Sequence, residues 1–221
     1  METTNNDLPR EEEQTTATQT NTTRKMKKRT WIILAALAAI VLWAVKAYNG
    51  MVTAEEGVKT AWGNVETVYQ RRADLIGNLV ATVQGAANYE KGTLTEVIEM
   101  RSKASSVQVD PTKLDQASLA NFQQAQDALG SALQRGINVV VERYPELTAT
   151  KNFQDLQAQI EGTENRISVE RKKFNETAQG FNTLIRRFPK SVLASLFGFE
   201  AKAYFTAAEG ADKAPEVNFE F

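Results

Sequence analysis

The chain has 221 residues, of which 42% are hydrophobic and 24% are charged, with 26 basic and 27 acidic side chains. It contains neither cysteine nor histidine, which excludes Cys/His zinc sites, disulfides, thiol nucleophiles and histidine bases. The net charge of −1 gives no global signature of nucleic-acid binding.

The first predicted segment, residues 1–29, is a disordered cytoplasmic tail with a basic flank. It contains the polar stretch EEEQTTATQTNTT, which has almost nothing to bury, and it ends in RKMKKR. Residues 30–48 are predicted to be a transmembrane helix, because Trp31 to Tyr48 would span about 27 Å of a hydrocarbon core of roughly 30 Å. Trp31, Trp43 and Tyr48 suit the membrane interface, and Lys46 is placed to extend its amine to it.

Charge around this span predicts its orientation. Five basic residues lie directly before it, namely Arg24, Lys25, Lys27, Lys28 and Arg29, whereas only Lys46 and Lys59 lie at or soon after its C-terminal end. The positive-inside rule therefore places the N-terminus in the cytoplasm. We therefore expect a single-pass protein of the bacterial inner membrane, with its C-terminal domain outside the cytoplasm, in the periplasm if the cell has two membranes. Two alternatives are a signal peptide cleaved after Ala47, where VKA has small residues at the usual places, and a buried core helix.

Residues 49–206 carry the pattern of long amphipathic helices. Steps of four and three define a seam in the first helix: Val58, Trp62, Val65, Tyr69, Arg72, Ile76, Leu79, Val83 and Ala86. A short helix is predicted around Leu94–Ala104. A third follows Leu119, Phe122, Gln126, Leu129, Leu133, Gly136 and Val140 and stops at Tyr144–Pro145.

The fourth predicted helix has a heptad repeat. Its apolar positions are Phe153, Ile160, Ile167, Phe174, Phe181 and Phe188, with Leu156 and Leu184 at matching d positions. Pro189 ends this helix, a short helix from about Ser191 to Phe205 follows, and residues 207–221 are predicted to be an extended tail. The fold prediction is all-α: a transmembrane helix followed by an antiparallel bundle of four long helices with coiled-coil seams and a short C-terminal helix.

A polar layer interrupts the seams at mid-bundle. The d positions of the fourth helix become Thr163, Glu170 and Thr177, and Arg72 lies on the seam of the first helix. If these helices are antiparallel, Arg72 meets Glu164 or Glu170, and we expect a structural layer of Arg72, Glu164, Asn165 and Glu170 that fixes helix register. Solvated charges at the bundle edge and a ligand site are the alternatives.

Amide and hydroxyl side chains form a neighbouring stripe on the fourth helix. Ser168, Asn175 and Asn182 are spaced seven residues apart. Such side chains bridge or cap helices more often than they bind ligands, so we expect a structural role for them.

Several separated motifs resemble the LemA family. YNGMVTAEEGVKTAWGNVETVYQRRADLIGNLVATVQGAANYE, at 48–90, is similar to its first characteristic block, and residues 146–205, with ENRI, FN, FP and GFE, are similar to its second. Two departures are Gly77, where the family usually has proline, and Tyr89, where it commonly has histidine before the glutamate. The resemblance implies a membrane-anchored helical bundle in the bacterial envelope, and it supplies no catalytic residues.

These observations favour a non-enzymatic scaffold that presents its bundle to other envelope proteins. The expected partners are the lipid bilayer and unidentified envelope proteins, with a homo-oligomer possible and no nucleic acid, metal or cofactor. One alternative is a membrane-shaping protein in which SVLASLFGFEAKAYF lies in the interface, although Leu193, Leu196 and Phe197 would otherwise cap the bundle. The other is an enzyme using the carboxylates of Glu164, Glu170 and Asp155. The terminal VNFEF suits an unanchored tail or strand addition to a partner.

Overall fold

A computed structural model describes residues 12–85 and 92–206. In these ranges the chain forms six helices and no strand: α1 (Glu12–Gln84), α2 (Thr95–Ser106), α3 (Gln116–Arg143), α4 (Pro145–Thr148), α5 (Lys151–Arg186) and α6 (Lys190–Phe197). The predicted all-α class is confirmed. Tyr89 and the tail at 207–221 lie outside the described residues.

The chain divides into two compact units, residues 1–50 and 51–221. Within the first unit, α1 begins at Glu12, inside the stretch predicted to be disordered. No glycine or proline occurs between Glu12 and Asn49, so the residues with the strongest helix-breaking effect are absent from this stretch. Among the described residues, the part of α1 from Lys27 onward is the one helical stretch that is long and apolar enough to cross a membrane.

The second unit is a helical bundle whose predicted seams are buried. Along α1, all eight described seam positions from Val58 to Val83 are buried, and so are the seven predicted on α3. α1 and α5 run antiparallel, since Arg72 bonds to Glu164 and a methyl group at Gly57 would lie 3.8 Å from that of Thr177. The hydrophobic effect of burying these stripes is what holds the helices together.

Local sequence sets where the helices begin and how closely they pack. Asp115 caps α3 by accepting a hydrogen bond from the backbone amide of Ser118 at 2.9 Å, and the hydroxyl of Thr150 accepts from the amide of Phe153 at the start of α5. Gly136 lets α3 approach α2: a Cβ at this position would lie only 2.7 Å from a methyl of Val97.

The C-terminal part departs from the sequence prediction in two ways. Phe188, the last heptad position, is 84% exposed, because α5 ends at Arg186 and the heptad no longer fixes which way its side chain points. The last helix ends at Phe197 and not near Phe205. Gly198 follows it with φ of 74°, a left-handed conformation that glycine adopts without steric cost and that ends helices.

Candidate functional site

A buried arginine joins three helices at the middle of the bundle. Arg72 of α1 is 2% exposed, and its guanidinium donates to the Glu164 carboxylate of α5 at 2.9 Å. It also donates to the backbone carbonyl of Gln126 on α3 at 2.9 Å and to that residue's side-chain oxygen at 2.5 Å. The guanidinium lies 5.0 Å from the ring centre of Tyr69. Its positive charge therefore interacts with a carboxylate, with amide oxygens and with the face of an aromatic ring.

The other residues predicted for this layer lie elsewhere. Glu170 pairs with Lys173 on its own helix at 2.6 Å, and Asn165 is exposed. Thr163 is buried, and its hydroxyl donates a hydrogen bond to the carbonyl of Gln159 on the same helix. The structure therefore brings Arg72 together with Glu164, and it adds Gln126, which the sequence placed on a seam without a partner.

A second polar contact crosses the bundle one turn away from Arg72. Arg171 of α5 donates to the hydroxyl oxygen of Tyr69 at 2.6 Å and to the Asp127 carboxylate of α3 at 2.8 Å. This contact could not be predicted from the sequence, because Arg171 and Asp127 look like ordinary charged residues on solvated faces. Together the two arginines connect α1, α3 and α5.

Burial raises the pKa of the Tyr69 phenol, and the positive charges of Arg171 and Arg72 counteract that rise only in part. Because the folded protein holds this proton more tightly than the unfolded chain, the stability it provides is complete below about pH 10 and is lost as pH rises toward the folded pKa. In that window the free energy of unfolding should fall by up to about 1.4 kcal/mol per pH unit for this group.

In the Tyr69→Phe variant, the free energy of unfolding should lack this decrease with rising pH. Urea titrations of the detergent-solubilised chain between pH 8 and 11 would measure the free energy of unfolding of wild type and variant. We expect the difference between the two values to become smaller as the pH rises above 10. A difference that stays constant above pH 10 would contradict the assigned effect of burial.

Residues 199–206, which we call the strap, follow α6 without regular secondary structure. Three amide side chains hold the strap, and each binds both the backbone N–H and the C=O of one residue. Asn182 binds Lys202 at 2.8 and 2.8 Å, Asn175 binds Phe205 at 2.9 and 2.9 Å, and Gln123 binds Thr206 at 3.2 and 2.9 Å. These bonds replace the backbone partners that a neighbouring strand would supply.

The strap also completes the aromatic core. The ring of Phe205 stacks on buried Trp62, with centroids 6.0 Å apart, and meets Phe174 edge-on at 5.5 Å. Trp62 further contacts Phe122 of α3 at 5.2 Å. The strap thus closes the core between α1, α3 and α5.

A buried lysine fixes the start of the strap. Lys202 is 6% exposed, and its amine lies 2.7 Å from the Glu55 carboxylate of α1 and 3.2 Å from the carbonyl of Thr112. The amine also lies 5.7 Å from the ring centre of Phe181. These three contacts of the ammonium group, with Glu55, Thr112 and Phe181, all lie within the bundle.

Two of the carboxylates predicted for catalysis, those of Glu164 and Asp155, contact basic side chains. The groove between α3 and α5 encloses about 560 Å³ and is lined in part by Glu161 and Glu164, but Glu164 is bound to Arg72 and Glu161 accepts a hydrogen bond from Gln157. Asp155, the third predicted carboxylate, lies 3.4 Å from Lys151 on its own helix. The described residues contain no group of three or more acidic side chains placed to hold a metal ion.

The predicted anchor residues lie in the first unit of the chain. Trp31, Trp43, Lys46 and Tyr48 are all exposed on α1, together with the isoleucine, leucine and valine side chains between them. Exposed apolar side chains over such a length match the outer surface of a helix surrounded by lipid.

Comparison with known proteins adds family information to this geometry. A profile of the LemA family matches residues 61–219. Magnetosome protein MamQ of Magnetospirillum gryphiswaldense is 25% identical over 191 residues, covering 79% of this chain and 70% of the relative. Magnetosome protein MamQ 2 of Paramagnetospirillum magneticum is 25% identical over 198 residues (82% and 72%), and Protein LemA of Metamycoplasma hominis is 26% identical over 161 residues (73% and 69%).

Proposed function

Since the chain belongs to the LemA family, we propose that it is a non-enzymatic scaffold of the bacterial envelope, anchored by one membrane helix. In this proposal the bundle presents a fixed helical surface to other envelope proteins. The same proposal places the N-terminus in the cytoplasm and the bundle outside it, in agreement with the basic residues that precede the span.

One observation supports the scaffold more than any other. The charged groups that could serve chemistry, Arg72, Glu164, Arg171 and Asp127, are bonded to one another across helices. Groups engaged in this way hold three helices in register, and they are not arranged around an open cleft with a free acid and base. A bundle whose mid-bundle charges are paired across helices suits a protein that presents a surface.

A cysteine-scanning experiment tests both parts of the proposal, because the natural chain has no cysteine. We choose Val169 on α5 and Ile98 on α2, which are exposed apolar positions on different helices, and Thr16 in the N-terminal segment. Each single-cysteine variant is treated in intact cells with a membrane-impermeant maleimide that carries a photoreactive group. Illumination and mass spectrometry then identify the adducts.

We expect labelling at Val169→Cys and Ile98→Cys but not at Thr16→Cys, and a reproducible set of envelope proteins attached to at least one of the two helices. Labelling at Thr16→Cys alone would contradict the orientation. Efficient labelling without protein adducts at either helix would contradict the scaffold and leave the orientation standing.

A further inference from the structure

An exposed apolar stripe remains at the C-terminal end of the bundle. Phe188, Val192 and Leu196 are spaced four residues apart and are 84%, 61% and 73% exposed. Val192 and Leu196 lie on one side of α6, and Phe188 lies in the turn that precedes this helix. We call these three residues the apolar stripe. The opposite side of α6 is used by the bundle, since Ala194 is buried and Leu193 packs against the core.

Basic side chains flank this apolar stripe. Arg186 and Arg187 precede Phe188 directly and are exposed, and Lys190 at the start of α6 is half-buried. Exposed apolar residues bordered by lysine and arginine are the composition of helices that lie in the interface of anionic membranes.

The position of α6 in the bundle agrees with a membrane surface. Arg72 faces Glu164 and Gly57 faces Thr177, and the same antiparallel register continued places Met51 beside the last turn of α5. Met51, Ile185 and Ala194 accordingly belong to one core cluster. Met51 follows Tyr48, the end of the predicted span, by three residues, so the chain between them cannot exceed about 11 Å in any orientation of the two units.

We propose that the apolar stripe of Phe188, Val192 and Leu196 inserts into the interface of an anionic lipid bilayer, with Arg186, Arg187 and Lys190 binding its headgroups. This second membrane contact fixes the base of the bundle against the surface to which the chain is anchored. It rests on the membrane anchoring in the proposed function but does not require partner proteins.

The test uses the full chain in vesicles and a single fluorescent label. Ser195 is exposed on α6 and lies outside the stripe, so an environment-sensitive fluorophore on Ser195→Cys leaves the stripe intact. Asn138→Cys, an exposed polar position on α3 near the other core cluster, is the matched control, and Leu37→Cys in the predicted span is the positive control. The vesicles contain phosphatidylcholine with or without phosphatidylglycerol and a small fraction of nitroxide-labelled lipid.

We expect lipid quenching at Ser195→Cys to be about threefold stronger than at Asn138→Cys in phosphatidylglycerol vesicles. The double substitution Val192→Ser and Leu196→Ser should lower the quenching at Ser195→Cys to that at Asn138→Cys. Replacing Arg186, Arg187 and Lys190 by glutamine, or adding salt, should weaken it, because headgroup attraction is electrostatic and screened.

Other outcomes overturn the proposal. Quenching at Ser195→Cys equal to that at Asn138→Cys, with Leu37→Cys quenched, would exclude the membrane contact while leaving the anchor in place. Energy transfer between labelled copies, without lipid quenching at Ser195→Cys, would show that a second copy of the chain covers the stripe. No quenching at Leu37→Cys would remove the anchor and, with it, both the proposed function and this inference.

Discussion

Replacing Arg72 by methionine should lower the free energy of unfolding by about 3 kcal/mol. Methionine has a similar length but cannot donate hydrogen bonds, so the side-chain oxygen of Gln126 loses its guanidinium partner inside the bundle. Removal of one partner from a buried pair costs roughly 3–5 kcal/mol. We expect the lower end of this range because the Glu164 side chain is 42% exposed and can regain water.

The matched control is Arg135→Met, because Arg135 also pairs with a glutamate on another helix, Glu96 of α2, but both side chains are more than half exposed. That change should leave the unfolding transition of the detergent-solubilised chain unchanged, since exposed ion pairs are screened by water and salt. Circular dichroism during urea unfolding measures both variants. An Arg72→Met curve superimposed on that of wild type would show that this buried contact does not stabilise the bundle.

Replacing Phe205 by alanine should cost about 3–5 kcal/mol of unfolding free energy, as is usual for loss of a buried phenylalanine. The ring of Phe205 stacks on Trp62 and contacts Phe174, and its removal leaves a cavity among large, rigid aromatic side chains that cannot collapse easily. The indole N–H of Trp62 already has no hydrogen-bond partner within the described residues, and its fluorescence should report the entry of water.

Leu196→Ala is the control for this prediction, because it also removes a large apolar side chain from the C-terminal region, but from a residue that is 73% exposed. In detergent it should have little effect on the unfolding transition. A second variant, Asn175→Ala, separates the ring from the strap: it removes both hydrogen bonds to the backbone of Phe205 while keeping the ring. If Phe205→Ala unfolds no more easily than Leu196→Ala, the strap does not complete the core.

Hydrophobic periodicity alone was sufficient to predict the buried faces of the long helices. The seam of α1 and the heptad of α5 from Phe153 to Phe181 are buried as the pattern indicates, because the 3.6-residue period fixes which side chains share a face. The apolar stretch at Trp31–Tyr48 was equally clear, since its length and its lack of charge are properties of the chain itself. These features depend only on residues close together in sequence.

The strap and the cross-helix contacts were decided by the tertiary structure. The seven-residue spacing of Asn175 and Asn182 is visible in the sequence, but their partners are not. Asn175 binds the backbone of a residue 30 positions away, and Asn182 binds the backbone of a residue 20 positions away. From the sequence, Glu164 and Glu170 were equally suitable partners for Arg72. In the structure, the packing of the helices brings Glu164 to Arg72. A side chain's local pattern states which face it occupies, whereas its partner depends on the axial offset and rotation of another helix, and these are set by the packing of the whole core.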